Sequence, residues 1–356
     1  MKIAFFLPSK ESVYAAKFIH DGYKHAFEDL GHSFFTFTSN DDLDIFLKTH
    51  EPDIFMYGLH FYHLKFINLK ILEKYRKNGL VVFCQVGPWN HLVEGIGSTP
   101  LKNNPKYIEL ISSGLAGDIF WHWFEQDEPL MNGFVEGTGK KFETIILAAD
   151  KTVYYPEFSN KFDIDFSYVG SYLPSKREYL KKNIIPLSKK YKVKIFGSDW
   201  TFINRFLGLV QKIGQLFNIN PLKHIRKIKL TIDDERRLYS SSKINLNVHE
   251  NHVIKHNCEI NERTFKILAC GGFEICDNLP LIRKYFTDKE IVMAENSRDF
   301  SKKTKYFLKH EKERKRIALS GYKKVITHHT YHNRVGQIMD LYNKVRNEKD
   351  NAEKTI

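Results

Sequence analysis

Short apolar runs alternate with amphipathic stretches along most of the chain. Residues 2–7 are a continuous apolar run behind one lysine, the pattern of a strand buried on both faces. Pro8 to Ser12 form a turn, residues 13–30 carry apolar positions at helical spacing, and Gly31 stops them. The cycle repeats: strands are expected over 33–38, 52–57 and 80–86, and helices over 41–50, with Asn40 or Asp41 as cap, and 64–78, closed by Gly79. A strand over 118–123, a helix over 128–135 and a last strand over 144–147 complete the first half. Strands alternating with helices at this spacing predict a parallel, doubly wound sheet.

Residues 148–161, with Pro156, have linker character. Beyond them the alternation resumes with strands over 165–169 and 193–196, a helix reaching residue 190, and a helix over 232–242. The densest signal follows. Ile244-Asn245-Leu246-Asn247-Val248 alternates apolar and polar side chains, a short strand. A polar loop is expected over 249–259. Asn261 stands where a helix cap belongs, ahead of Arg263, Phe265, Ile267 and Leu268 at helical spacing. Gly271 and Gly272 end that helix, and residues 273–277 form the next strand. In an open parallel sheet, the loop past a strand's carboxyl end, backed by a helix N-terminus, receives anionic ligands. Here that loop and helix start hold His249, Glu250, Asn251, Asn261 and Arg263. A strand over 290–294, helices over 297–310 and 311–328, and a terminal helix over 331–346 close the chain, with the tail after Asn347 expected to fray.

Length and charge narrow the function. The 356 residues suffice for two cores, and 42% hydrophobic content excludes a disordered chain. A formal charge of +13 points to anionic partners. No helix-turn-helix, zinc-finger or RNA-binding signature accompanies it, so nucleic acid is not the expected partner. The four cysteines form no CxxC pair and lie in or near apolar runs, as free thiols do in a reducing compartment. The N-terminal run is too short for a signal peptide, and no stretch has the length of a membrane span.

Candidate chemistry sits after the strands. Ser9 and Lys10 follow the first, His60 the third, and His91 the fourth, where a polar group faces a cleft. Gly170 follows the strand over 165–169, where a small residue lets a phosphate approach the backbone; Arg177 is the nearby cation. Trp200 either stacks on a base or plugs the core, and the core is preferred. Residues 201–228, apolar and basic, read either as a helix of the domain shell, the preferred reading, or as an amphipathic segment meeting a membrane. His249, His252, His256 and Cys258 lie within one loop, yet they match no standard zinc spacing, so no metal is expected. His328, His329 and His332 read as a cap and surface group at a helix junction.

The run Asn261-Glu262-Arg263-Thr264-Phe265-Lys266-Ile267-Leu268-Ala269-Cys270-Gly271-Gly272-Phe273, followed by Asp277-Asn278-Leu279-Pro280, resembles the spore-maturation CgeB-like glycosyltransferases. Supporting motifs are Phe166 to Pro174, Ile195 to Trp200 and His328 to Arg334. The resemblance covers most of residues 145–340. It implies an α/β GT-B fold: two Rossmann-like domains, residues 1–155 on the acceptor side and 156–330 on the donor side, facing a central cleft. Residues 331–356 would form a C-terminal helix crossing back to the first domain. It also implies transfer of a sugar from a nucleotide-sugar donor, bound as substrate with no cofactor, to a glycan, lipid-linked or protein acceptor, with retention and without metal. Localisation would be cytoplasmic, at or near the inner membrane face.

The resemblance distributes roles as well. Arg263 would neutralise the leaving phosphate, with Lys266 and Arg177 behind it. Glu250 would bind sugar hydroxyls or act as base, and Asn251 would hold the sugar. His91 would lie near the sugar, and Gly197 near the nucleobase. His249, Asn261, Gly170, Gly271 and Gly272 complete the donor-binding set. At the position of Lys266 the related enzymes carry a glutamate that grips the donor ribose. This departure supports a second reading, a catalytically silent sugar-nucleotide or glycan-binding module; another GT-B reaction, such as epimerisation or phosphorolysis, is a third.

Overall fold

The computed structural model describes residues 1–8, 15–90, 100–125, 129–217, 219–223, 225 and 230–354. The chain divides into two compact units. The first comprises Met1–Thr152, His256–Glu259 and His329–Ile356; the second comprises Val153–Lys255 and Ile260–His328.

The first unit is a six-stranded, all-parallel sheet. Its strands are β1 (Lys2–Phe6), β2 (Ser33–Phe37), β3 (Ile54–Gly58), β4 (Val81–Gln85), β5 (Ile119–His122) and β6 (Phe142–Thr144), in the order β2-β1-β3-β4-β5-β6. Between them run α1 (Ala15–Asp29), α2 (Leu43–His50), α3 (Leu69–Arg76), α4 (Pro105–Ser112) and α5 (Phe134–Thr138). Alternate residues of each strand feed different cores. Ala4, Phe6, Phe55, Tyr57, Val82 and Cys84 pack on one face, and Ile3, Ile54, Met56, Val81 and Phe83 on the other. A strand buried on both sides must be apolar at nearly every position, which is why these segments read as continuous runs.

Several expected boundaries move. The cap of α2 is Asp42, whose carboxylate accepts from Ile45 N, while Asp41 turns back to cap Thr38. The helix expected over 128–135 begins only at Phe134, because Gly133 precedes it at φ 88°. The last strand is Phe142–Thr144 rather than 144–147; the run that follows leaves the sheet and receives the chain's C-terminal segment instead.

The second unit holds five parallel strands: β7 (Phe166–Val169), β8 (Val193–Phe196), β9 (Ile244–Asn247), β10 (Glu274–Asp277) and β11 (Val292–Ala294), in the order β11-β10-β9-β7-β8. Its helices are α6 (Pro174–Tyr179), α7 (Phe202–Leu216), α8 (Asn220–Lys223), α9 (Ile232–Ser241), α10 (Asn251–His256), α11 (Glu262–Ala269), α12 (Ile282–Tyr285), α13 (Ser297–Lys309) and α14 (Glu311–His328). After α6 the helix to residue 190 loosens into π and then 3₁₀ turns. α10 occupies the stretch expected as a polar loop.

α15 (Tyr331–Lys354) returns to the first unit, as the crossing-back helix requires. Tyr331, Val335 and Ile338 enter the core beside Tyr23 and Phe27 of α1. Arg334 locks the junction by donating from Nε to Ile146 O at 2.8 Å. The tail expected to fray is helical to Lys354: Lys349 pairs with Asp118, itself held by Arg76. His329 is buried against Arg334 rather than exposed.

Candidate donor site of the second unit

The strand order places the site. Numbered within the unit, the strands run 2-1-3-4-5, and connections leave in opposite directions from β7 and β9. Ligands of such sheets bind beyond the carboxyl ends of the two strands flanking that switch point. Gly170 lies just past β7; Val248, His249 and Glu250 lie just past β9.

The alternation in β9 carries the site's chemistry. Ile244 and Leu246 enter the apolar core, but Asn245 and Asn247 face the other side and are also fully buried, beneath α9 and α11. Buried polar groups need partners, and here they find one another. Ser167 Oγ donates to Asn245 Oδ1 at 2.5 Å, and Asn245 Nδ2 donates to Tyr239 O at 3.0 Å. One step along the strand, Asn247 Nδ2 lies 2.9 Å from both Thr264 Oγ1 and Glu274 Oε1, and 3.0 Å from Asn261 Oδ1. Its Oδ1 accepts from Arg263 Nη1 at 2.7 Å. A polar ladder thus crosses the sheet and ends by aiming an arginine.

Arg263 has no carboxylate partner among the described residues. Its guanidinium lies 5.7 Å from the Tyr168 ring centre and donates to Asn247. Five N–H donors with one committed leave a fork suited to phosphate. Gly170 makes room for it: a Cβ there would stand 2.7 Å from Tyr168 Oη and 3.1 Å from Arg263 Nη2. Behind Arg263, the Asn261 side chain accepts from Thr264 N and caps α11. The N-terminal amides of α11 therefore adjoin the same arginine, the arrangement that receives anions at helix starts.

Glu274 sits under this network, fully buried, and burial pushes its carboxyl up to about 7, against hydrogen bonds from Asn247 and Thr264 that favour the ionised form. His249 is equally buried. Its backbone N–H donates to Asp277 Oδ2 at 2.8 Å, and its Nδ1 lies 2.6 Å from Asp277 Oδ1. Asp277 also lines a cavity of about 610 Å³ with Tyr179, Lys182, Asn278 and Arg298. Glu250 lies 3.4 Å from Ser175 Oγ and 3.9 Å from the buried ammonium of Lys176.

The expected site residues therefore separate into groups. Gly170, Arg263, Asn261, His249, Glu250 and Asn251 gather around the switch point. Gly197 supports it from beneath: at φ +135°, a Cβ there would lie 2.1 Å from Gly170 O, which also accepts from Trp200 Nε1. Trp200 packs against the core, as preferred. Arg177 covers the Tyr172 ring at 5.0 Å, and its neighbour Lys176 is the cation facing Glu250. Lys266 turns away: its ammonium is buried, 2.9 Å from Glu262 and 4.9 Å from the Tyr154 ring centre. Gly271 and Gly272 lie between α11 and the start of β10, at the amino ends of the strands, and serve the fold. Gly271 takes φ +67° to end α11, and a Cβ on Gly272 would press on Asn245 and Tyr239 O. His91, Ser9 and Lys10 lie outside the described residues. His60 follows β3 at the first unit's own switch point, with Nδ1 accepting from Tyr62 N. Among the described residues no three His, Cys, Asp or Glu side chains converge as a metal set.

Two such parallel sheets, with the last helix rejoining the first unit, define the GT-B class, and the chain has that fold. Sucrose-phosphate synthase from Thermosynechococcus elongatus aligns at a TM-score of 0.63 with 9% identity, over 98% of this chain and 99% of that one. HepE of Anabaena, solved with UDP and glucose, aligns at 0.60 with 11% identity over 97% and 100%. An α-glucosyltransferase, solved with UDP and a 13-mer DNA containing an HMU base, gives 0.60 and 11% over 96% and 99%.

Within that class the chain is similar to the CgeB-like glycosyltransferases. A family model described as glycosyl transferase-like matches residues 177–340. Spore protein CgeB of Bacillus subtilis (strain 168) is 23% identical over 176 residues, 46% of this chain. The match spans about half of that relative, 49% of its length.

Proposed function

We propose that the protein transfers a sugar from a nucleotide-sugar donor to a glycan, lipid-linked or protein acceptor, in the synthesis of a surface polysaccharide or glycoconjugate. The observation that carries this reading is Arg263: an arginine without a carboxylate partner among the described residues, fixed by Asn247 at the sheet's switch point beside Gly170 and a capped helix start. The UDP-bound neighbours of the same fold make a uridine diphosphate sugar the first donor to test.

Sugar transfer breaks the bond from the anomeric carbon to the phosphate oxygen, and negative charge accumulates on the leaving diphosphate. Preorganised donors lower that barrier because they need not reorient as charge develops. Arg263 supplies a guanidinium, α11 its first amides, and Gly170 the close approach of backbone to phosphate. These groups do the work a divalent cation does elsewhere, so the reaction is read as metal-independent. Glu250, steadied by Lys176 and Ser175, accepts from sugar hydroxyls, and Asn251 orients the sugar. Retention of configuration follows the same reading, as does action in the cytoplasm at the inner membrane face.

The silent-module alternative rested on Lys266. The Lys266–Glu262 pair neutralises the charge but does not restore the ribose-binding carboxylate, so the two readings are separated by turnover. Arg263→Ala is expected to lower nucleotide-sugar turnover at least about a hundredfold, the loss typical of removing one charge-stabilising donor, with the melting temperature unchanged. Wild-type turnover in that variant would refute the assignment. UDP binding without turnover by the wild-type protein would favour the silent module.

A further inference from the structure

α7 presents an apolar face to solvent. Thr201 caps the helix by accepting from Asn204 N, so the segment is built as a helix and not as a loop. Phe202, Phe206, Leu209, Ile213 and Phe217 are exposed, Phe202 to 75% and Phe217 to 67%. At 3.6 residues per turn these five positions fall within an arc of about 80°. Ile203 widens the arc at one edge, 68% exposed. The opposite side packs inward through Gly208, Gln211 and Gly214, all buried. Leu207 and Val210 are half-buried, so the helix is held by one side while a face of large apolar residues is left to water. Single exposed apolar side chains are ordinary; a contiguous stripe along a whole helix marks an interaction surface.

The charge of this stretch of sequence chooses the partner. Residues 200–232 contain six lysines and arginines and no aspartate or glutamate. Two of the six, Arg205 and Lys212, flank the stripe on α7, and the other four lie between positions 223 and 229. A second copy of the chain would bring Arg205 and Lys212, both exposed, against the same two cations of its partner. An acyl interface beneath anionic headgroups satisfies both halves of the pattern: apolar side chains enter the headgroup boundary while cations meet phosphate. No helix among the described residues is long and apolar enough to cross a membrane, so the contact lies along the surface.

We infer that α7 is a membrane-docking helix that seats the second unit on an anionic lipid bilayer through the Phe202–Phe217 stripe. This goes beyond the transfer reaction and does not rest on it, since vesicle binding needs no donor.

The test is flotation of the full chain with vesicles of phosphatidylglycerol and phosphatidylcholine in equal parts, against phosphatidylcholine alone. Binding is expected to the anionic vesicles and to weaken as salt is raised. Phe206→Glu/Leu209→Glu is expected to reduce apparent affinity at least about tenfold, and Arg205→Gln/Lys212→Gln to reduce it about tenfold, on anionic vesicles only. All four side chains are exposed, so melting temperatures should hold. Ile203→Cys provides a second measurement within the folded protein. The four native cysteines are buried, so a polarity-sensitive dye attaches at position 203 and its emission should shift to the blue on anionic vesicles. Three outcomes overturn the inference: no binding to anionic vesicles; equal binding by the Phe206→Glu/Leu209→Glu variant; or vesicle-independent dimerisation that this variant abolishes, which would make the stripe a contact between copies.

Discussion

Replacing Glu274 by glutamine tests the buried network that holds Arg263. Burial raises this carboxyl from 4.5 to about 7. Between those values the folded protein keeps a proton that the unfolded chain has released. Folding then takes up protons, so stability falls as pH rises through this window: the penalty is absent below about 4.5 and complete above about 7. At 1.36 kcal/mol per decade the full penalty is about 3 kcal/mol. Glutamine keeps the Oε1 acceptor for Asn247 and Thr264 but cannot ionise. Its amide N–H₂ takes the place of Glu274 Oε2, which has no partner among the described residues, and leaves a buried donor unsatisfied at about 1–3 kcal/mol. That loss does not vary with pH. The variant should therefore gain about 3 kcal/mol on the wild type between pH 4.5 and pH 8, whatever the constant offset. Urea denaturation across that range, followed by Trp200 fluorescence in the second unit, measures the difference. A wild-type-minus-variant difference that stays flat with pH would show that Glu274 does not titrate with folding, and the buried ladder would lose its electrostatic basis.

Two further substitutions test the site's geometry. Gly170→Ala places a methyl 2.7 Å from Tyr168 Oη and 3.1 Å from Arg263 Nη2, so one of them must move. UDP affinity by calorimetry is expected to fall roughly tenfold, about 1.4 kcal/mol, and unchanged affinity would put Gly170 outside the phosphate site. Lys266→Glu restores the carboxylate usual in the resembling enzymes but buries it beside Glu262, near Glu235. It is expected to destabilise the protein by about 3–5 kcal/mol, the scale of an uncompensated buried charge, seen as a lower urea midpoint. A neutral outcome would mean that the pair is more solvated than the structure shows.

Periodicity revealed most of the fold because the sheets are covered on both faces. A segment such as Ile54–Gly58 must be apolar throughout, and glycines at 31, 79 and 271 mark helix ends through positive φ. What it misplaced depended on contacts distant in sequence. Residues 145–147 have a strand's composition, yet Ala149 pairs instead with Thr330, nearly two hundred positions away. The tail beyond Asn347 is polar enough to fray, but Asp118 holds it through Lys349. No local pattern carries either fact.

The candidate site was legible where a single residue type does the work, and hidden where partners do. Arg263 stood out as a cation at a helix start. Asn247 did not, because alternation in β9 assigns it to a polar face, and polar faces are ordinarily wet. Only the covering helices α9 and α11 turn that face into an interior, and only there does an asparagine become the clamp for an arginine. Lys266 shows the converse. In sequence its charge contradicts the family pattern at the ribose position; in the fold it lies one helical turn from Glu262 and pairs with it, while Arg263 is held by Asn247. A substitution that reverses charge can leave a site's field intact when a partner stands at i−4, so on the proposed reading the departure at position 266 bears on how a ribose would be held rather than on the neutralisation of a diphosphate.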